Sequence, residues 1–352
     1  MKRVNAILVN DVHLDKGNGE LVKDIFRQLV DLCKQMNVRR IICGGDVFTQ
    51  RSGQPLQCLT DWKEILAMLH NAQVELHVIP GNHDKTSSVD ERSYLDVYEA
   101  ENVFLYRKAT TVIIGKVCYM FAPYFREDKW IEDYKRELDY MATCSDSIGD
   151  RPRILISHIG FDGVRNNDGS VVSSSIKPSD FKQWDKVLLG HYHNASEVAD
   201  NVIYTGSAYQ NNFGEDITDK GFTLIYEDGS IKHVESHFPR YIRKTIDAKD
   251  KDTLRNLMEQ YEGETYDHIR FVIVGKKEDC QTINVTELQS KGIDVKFKST
   301  EETEAIEISE DDSVLCYDSR LIQRDFFKFC SENGIKGAKM KYGLDLLKEA
   351  LA

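Results

Sequence analysis

No run of eighteen apolar residues occurs anywhere in the 352-residue sequence, so no stretch has the length to cross a bilayer as a helix. The first apolar run, after Met1, is broken at once by charges and has no small-residue cleavage site. It reads as a first strand and not as a signal peptide. Eight cysteines are present, at 33, 43, 58, 118, 144, 280, 316 and 330, but no C-x-x-C pair. That leaves a zinc ribbon or a thioredoxin-like site without support. Cys43 and Cys118 lie inside apolar runs (IICGG and VCYMF) and read as small buried thiols. Free thiols without a disulfide framework point to a reducing, cytoplasmic setting. There is no internal repeat and no Walker-type glycine loop, hence no ATP site of the chain's own. Positive charge is also short. The 58 acidic and 46 basic side chains leave a net −12, which at first sight argues against a nucleic-acid partner. What is there is globular: 41% hydrophobic and 10% aromatic residues exclude wholesale disorder. The length suggests two or three domains and is ample for a core.

The first 240 residues alternate strand and helix signals. Strands are expected at Val4–Val9, Arg40–Cys43, Val74–Ile79, Val103–Tyr106, Ile154–Ser157, Val187–Leu189 and Val202–Thr205. A hairpin is expected over Thr111–Ala122, turning at Gly115, and another over Phe222–Glu235, turning at Asp228-Gly229. Amphipathic helices are expected at Gly19–Met36, Pro55–His70 and Trp130–Met141. Such a mixture predicts a sheet-rich α/β sandwich. Near Pro239 the pattern changes to a helix (Asp250–Tyr261) and two strand-like runs (Ile269–Val274 and Asp294–Lys298), which look like a small α+β domain. Thr300–Ser313 carries seven acidic residues and no basic one and reads as a solvated linker. Two helical runs, Leu321–Glu332 and Leu344–Leu351, close the chain.

The chemistry-bearing residues fall where strands end. These are Asp11-x-His13, Gly45-Asp46, Gly81-Asn82-His83-Asp84, His158 and Gly190-His191-x-His193. In open α/β sheets, ligand sites gather at the carboxyl ends of strands, so five segments would deliver their side chains to one edge. Glycines before Asp46, Asn82 and His191 allow the tight turns this needs. The donors are oxygen and imidazole nitrogen, which suits Mn²⁺, Fe²⁺ or Zn²⁺ over a structural zinc site. Seven candidate ligands are too many for one catalytic ion with an open position. Two ions sharing a carboxylate is the economical arrangement, and such a centre is suited to in-line displacement at phosphorus. His70, His77, His233, His237 and His268 read as ordinary structural residues. The other five histidines all fall at these strand ends.

As a set, in this order and spacing, the motifs resemble the calcineurin-like metallophosphoesterase superfamily over most of residues 1–240. Within it the chain is similar to SbcD-type DNA repair nucleases, the relatives of the meiotic-recombination-eleven subunit and of the phage recombination endonuclease. Asp46 is followed by Val47-Phe48, as in the nuclease GD-x-F pattern. Tyr204-Thr205-Gly206-Ser207, Phe213-Gly214-Glu215 and Lys220-Gly221 resemble the stretch after the nuclease site. The resemblance implies a four-layer αββα sandwich (1–240), a small α+β DNA-capping domain (241–298), an acidic linker (299–313) and a helical tail (314–352) as candidate ATPase-docking segment. It implies two divalent metal ions, Mn²⁺ first and Mg²⁺ second. Asp11, His13, Asp46 and His193 would hold one, and Asp46, Asn82, His158 and His191 the other. His83 would stabilise phosphoryl charge or protonate the leaving oxygen. Asp84 would orient His83, or alternatively cap the following turn. The implied partners are DNA, an SbcC-type SMC-like ATPase and a second copy of the chain.

Two positions depart from the family. Thr49 stands where a histidine bearing on exonuclease action is usual, which leaves the exonuclease–endonuclease balance open. Ala208 stands where proline is usual and should alter only loop shape. Arg51, Lys85, Arg92, Arg165 and Lys177 are candidate DNA contacts, with Tyr209 and Phe213 as aromatic ones. The apolar face of helix 55–70 fits either a dimer contact or ordinary core packing. Two rival functions share the motifs: a small-molecule or cyclic-nucleotide phosphodiesterase, and a non-catalytic scaffold for an ATPase. The charge objection weakens on inspection. Seven of the twelve net charges lie in the linker, leaving −5 elsewhere, and bound divalent ions would make the site itself cationic.

Overall fold

The computed structural model describes residues 2–98, 100–164, 171–215, 219–264 and 266–300, with single positions at 326, 330, 340 and 343. The chain falls into two units, Met1–Ile306 and Glu307–Ala352, and every sheet belongs to the first. The acidic linker beyond residue 300 and the tail lie outside the described residues, apart from those four positions.

Two six-stranded sheets make the body. The first runs through β1 (Val4–Val9), β2 (Arg40–Cys43), β3 (Glu75–Val78) and β4 (Val103–Leu105). These four are parallel. The second contains β5 (Thr110–Ile114), β6 (Val117–Ala122), β7 (Arg153–His158), β8 (Lys186–Gly190), β9 (Ser196–Ala199) and β10 (Val202–Tyr204), in the order β5-β6-β7-β8-β10-β9. Its inner strands are parallel and both edges antiparallel. The hairpin of β11 (Gly221–Tyr226) and β12 (Ile231–Glu235) returns to the first sheet, where β11 pairs antiparallel with β1.

Three apolar layers follow from strand alternation. Leu8, Ile42, Tyr119, Ile156, Leu188 and Ile225 fill the space between the sheets. Ile7, Val9 and Ile41 face outward onto helices α1 (Gly19–Met36) and α2 (Leu56–Asn71). Met120, Leu155 and Leu189 face α3 (Glu127–Thr143), which presents Trp130 and Tyr134. The result is the sheet-rich α/β sandwich that the alternation of elements predicts, in the αββα layering that the family resemblance implies. Helix α1 spans the expected residues because its apolar spacing puts Val22, Ile25, Phe26, Leu29 and Cys33 on one face. It stops at Asn37, whose left-handed backbone (φ 50°) lets its N–H bond back to the Cys33 and Lys34 carbonyls.

A third, separate sheet has three parallel strands, β13 (Tyr241–Asp247), β14 (His268–Gly275) and β15 (Ile293–Ser299). It has its own core of Ile246, Ile269, Phe271, Ile273 and Ile293, closed by Leu254 and Leu288 from the helices Lys251–Gln260 and Val285–Ser290. Strand β13 is absent from the sequence-based expectation, since its alternation (YIRKTID) is half charged. Among the described residues no helix is long and apolar enough to cross a membrane.

Candidate metal centre

Strands β1, β2 and β3 run parallel, so their carboxyl ends share one edge, and β7 and β8 end opposite them. The loops that follow carry unusual backbone. Seven described non-glycine residues have positive φ, and four of them are Asp11 (52°), His13 (42°), Asp46 (52°) and His191 (94°). Such conformations cost on the order of 1–3 kcal/mol each and persist only where surrounding bonds impose them. Here the loops after β1 and β2 are laced together. Asp11 N–H donates to Gly45 O (3.1 Å), His13 N–H to Asp46 O (3.1 Å) and Leu14 N–H to Val47 O (2.7 Å). Gly45 and Gly81 are glycines for a steric reason. A Cβ on Gly45 would stand 2.5 Å from His158 Nδ1 and 2.9 Å from Gly81 Cα, and one on Gly81 would stand 2.2 Å from Asp46 Oδ1.

The side chains converge in two groups. Donor atoms of Asp11, His13 and His193 lie within 4.8 Å of one another, as do those of Asp46, His158 and His191. Asp46 lies between them: its Oδ2 is 3.2 Å from His158 Nε2 and 3.7 Å from His13 Nε2. Asn82 Oδ1 meets His158 Nε2 (3.0 Å) and His191 Nδ1 (2.9 Å). His158 Nδ1 faces the Gly44 carbonyl at 2.9 Å, which places a proton there and turns the Nε2 lone pair inward. His13 Nε2 and His193 Nε2 face each other at 2.9 Å. All seven side chains are buried except that of His191, which is half-buried. So many inward-facing lone pairs and carboxylates, buried together, repel unless a cation lies among them. The donor set therefore fits divalent metal ions.

Protonation in the metal-free protein follows from the same crowding. Burial pushes the Asp11 carboxyl up to about 6. Burial also opposes ionisation of Asp46, yet His158 and His83 hold it well below the usual carboxylate range. Burial would lower His158, but Asp46 overrides this and holds it up at about 9. Burial and neighbouring His193 depress His13, and burial and His158 bring His191 down to about 3. Cations entering such a cluster displace protons, so metal affinity should fall in acid.

His83 lies beside the centre and outside both groups. Its Nδ1 is held by the Thr49 carbonyl, and its Nε2 is 3.4 Å from Arg51 Nη2 and 4.0 Å from Asp46 Oδ2. Burial lowers its pKa, which favours a neutral ring. Asp84 does not orient it. Its two oxygens accept from Phe48 N–H (3.0 Å) and Gly81 N–H (2.8 Å), tying the second and third loops together by their backbones. Asp84 is thus a clamp on the loops and not a partner of the reacting atoms. Burial, with Asp46 nearby, raises its carboxyl to about 7.

Several proposed DNA contacts also fail on geometry. Lys85 is buried, donates to Tyr124 O (3.0 Å) and covers the Phe125 ring. Tyr209 is buried, its hydroxyl donating to the Val12 carbonyl and accepting from Asn18. Arg92 is exposed but chelated by Asp90 (2.8 Å). Phe213 packs edge-on against Tyr241 and beneath Arg270. Arg51 stands at the centre, Lys177 is exposed, and Arg165 lies outside the described residues.

Two further residues stand at the centre. Glu215 Oε1 accepts from His193 Nδ1 (2.7 Å), while its Oε2 is bridged to buried Lys220 (2.8 Å). This carboxylate fixes the His193 ring from behind. The second is Tyr124, whose ring stacks near His191 (centroids 6.4 Å apart, 23° between planes). Glu215 stands in the Phe213-Gly214-Glu215 stretch, a signal that resemblance noticed without assigning it a role. Nothing in the sequence marks Tyr124.

The family described as calcineurin-like phosphoesterase matches residues 5–275. "Exonuclease subunit 1" of Enterobacteria phage T4 is 26% identical over 259 residues, covering 69% of this chain and 72% of its own length. A subunit of the nuclease SbcCD from Staphylococcus saprophyticus is 24% identical over 255 residues, covering 65% of this chain and 66% of its own. Among solved structures, a dimetal phosphatase from Danio rerio aligns over 67% of this chain and 98% of its own, with TM-score 0.46 and 12% identity.

Proposed function

Since this chain belongs to the calcineurin-like phosphoesterase family, we propose that it is a two-metal DNA nuclease, acting in repair or recombination with an SbcC-like ATPase. The observation that carries this reading is the convergence of Asp11, His13 and His193 beside Asp46, His158 and His191. The similarity to an exonuclease subunit and to a subunit of a nuclease supports DNA as the substrate. Asp11, His13, Asp46 and His193 hold one ion, and Asp46, Asn82, His158 and His191 the other, with Mn²⁺ preferred and Mg²⁺ accepted. Bound there, the pair supplies Lewis-acid polarisation of the phosphodiester and a water that is nucleophilic at neutral pH.

The chain's own residues do the rest. Asp46 is shared, so it fixes the two groups at one spacing. His83, with its Nδ1 proton committed to the Thr49 carbonyl, presents Nε2 beside Arg51. Arg51 meets the charge on the phosphoryl group; His83 first takes up a proton from solvent at its free Nε2 and, as imidazolium, passes that proton to the leaving oxygen. Residues 1–240 form the nuclease, 241–298 a DNA-capping domain, and 314–352 the ATPase-docking tail. Two copies form the working dimer.

Labelled single- and double-stranded DNA, incubated with Mn²⁺ or Mg²⁺ beside a generic small phosphodiester, tests the substrate. The expected result is metal-dependent DNA cleavage at a kcat/KM well above that for the small ester. Rapid small-ester hydrolysis with no DNA cleavage in any metal would replace the nuclease with a small-molecule phosphodiesterase. Hydrolysis of neither would leave a scaffold.

A further inference from the structure

The loop after the last ligand histidine is held from outside the sandwich. Residues 210–215 lie between His193 and the three-stranded sheet and bond to both. On the inner side, Glu215 Oε1 accepts a hydrogen bond from His193 Nδ1–H (2.7 Å). On the outer side, buried Gln210 grips the backbone of β13 at both polar groups. Its Oε1 accepts from Tyr241 N–H (2.8 Å), and its Nε2 donates to Tyr241 O (3.1 Å). The same Nε2 also donates to Glu215 O (2.9 Å), so one amide joins β13 to the residue that orients His193.

A second connection runs in parallel. Phe213 packs edge-on against Tyr241 (centroids 5.0 Å apart) and beneath the Arg270 guanidinium (3.9 Å). Arg270 stands on β14 and is tied to Asp294 on β15 (2.6 Å). β13 and β14 therefore reach this loop directly, β15 only through Arg270, and the loop's carboxylate reaches His193. Asn211 N–H adds a bond to Glu215 Oε2 (3.1 Å), which fixes the carboxylate plane.

We propose that the small sheet is a positioning element for His193: Gln210 and Phe213 transmit its placement through Glu215 to one half of the metal centre. A partner or substrate that shifts the sheet would thereby retune the ion held by Asp11, His13 and His193. The ion beside Asp46, His158 and His191 would stay as it was, since its histidines are fixed by the Gly44 carbonyl and Asn82. This rests on the two-metal reading above.

The test is calorimetric titration of the metal-free full chain with Mn²⁺, comparing wild type with Gln210→Ala and with Phe213→Leu, which keeps apolar bulk while losing the ring contacts. Wild type should bind two ions. Each variant should lose affinity for one of them, by about 10- to 100-fold as for other groups that orient a ligand, and keep the other unchanged. NMR of the metal-free proteins provides a readout that needs no ion: the His193 ring N–H held by Glu215 should shift in both variants. Two unchanged affinities with an unmoved His193 proton would overturn the coupling. Equal weakening of both ions would also overturn it, since that reports general loosening. A wild type that binds fewer than two ions would instead overturn the two-metal reading.

Discussion

A neutral imidazole with one nitrogen committed to a carbonyl has one nitrogen left for chemistry, and His83 is in that condition. Its Nδ1 faces the Thr49 carbonyl, and its Nε2 faces Arg51 and Asp46. It lies outside both ligand groups, so His83→Ala should retain two bound ions while DNA cleavage falls by about 10²- to 10⁴-fold, the usual range for a lost proton-transfer group. Loss of metal together with activity would instead make it a ligand. His77 offers a prediction remote from the centre. It stacks on Phe104 (4.7 Å) and Phe121 (6.0 Å) and bonds the Tyr106 hydroxyl (2.8 Å). Burial lowers its pKa from 6.5 to about 4. The unfolded chain therefore binds the extra proton between those values, so the stability is intact above pH 6.5 and is lost as pH falls toward 4. The loss approaches about 3 kcal/mol in acid. Urea unfolding at pH 7.5 and pH 5 should show a smaller drop for His77→Gln than for wild type. Equal drops would assign the acid sensitivity elsewhere. At this scale the sequence picked out the five histidines that the structure brings together, because strand ends are visible as apolar runs meeting glycine. It left Asp84 open between orienting His83 and capping a turn, and it could not distinguish Lys85 from a DNA contact. Both depend on which way a side chain turns at a loop, and burial turned both inward.

Helix α2 shows what an apolar face can and cannot say. Trp62, Ile65, Leu66 and Leu69 are buried, while Leu56 is 79% exposed. The face is spent on the sandwich core, leaving only the first turn for any dimer contact. Trp62 packs edge-on against Phe26 (5.5 Å) and Phe48 (6.3 Å), and Phe48 belongs to the loop that carries Asp46. Trp62→Ala should cost about 3–5 kcal/mol, measurable as a lower urea midpoint. If the variant folds, its metal affinity should also fall, since the loop loses its support. An unchanged midpoint would contradict this packing account. The strands of the sandwich were legible because they are nearly continuous apolar runs, as parallel strands covered on both faces must be. Strand β13 was not. One face of the small sheet carries Tyr241, Arg243, Thr245, Arg270 and Lys296 in register, so its alternation is diluted by charge. Its partner strands lie far along the chain, beyond the reach of local pattern.

For the whole molecule, the net charge of −12 no longer opposes a polyanionic substrate. Asp11 and Asp46 count as acidic in that total, yet they are buried among histidines at a site fitted to cations. The two-metal reading predicts weak, metal-dependent DNA binding by this chain alone. Titration of labelled duplex with chelator present should show little binding at physiological salt, and tight metal-free binding would contradict it. The central claim is that seven side chains from five loops form one centre for two ions, joined through Asp46. Its most direct test is metal content, by elemental mass spectrometry after equilibration with Mn²⁺ and removal of the excess. Two ions per wild-type chain, with fewer than one retained by Asp46→Ala, is the predicted result. A single ion per wild-type chain, or an Asp46→Ala variant that keeps both, would contradict the account.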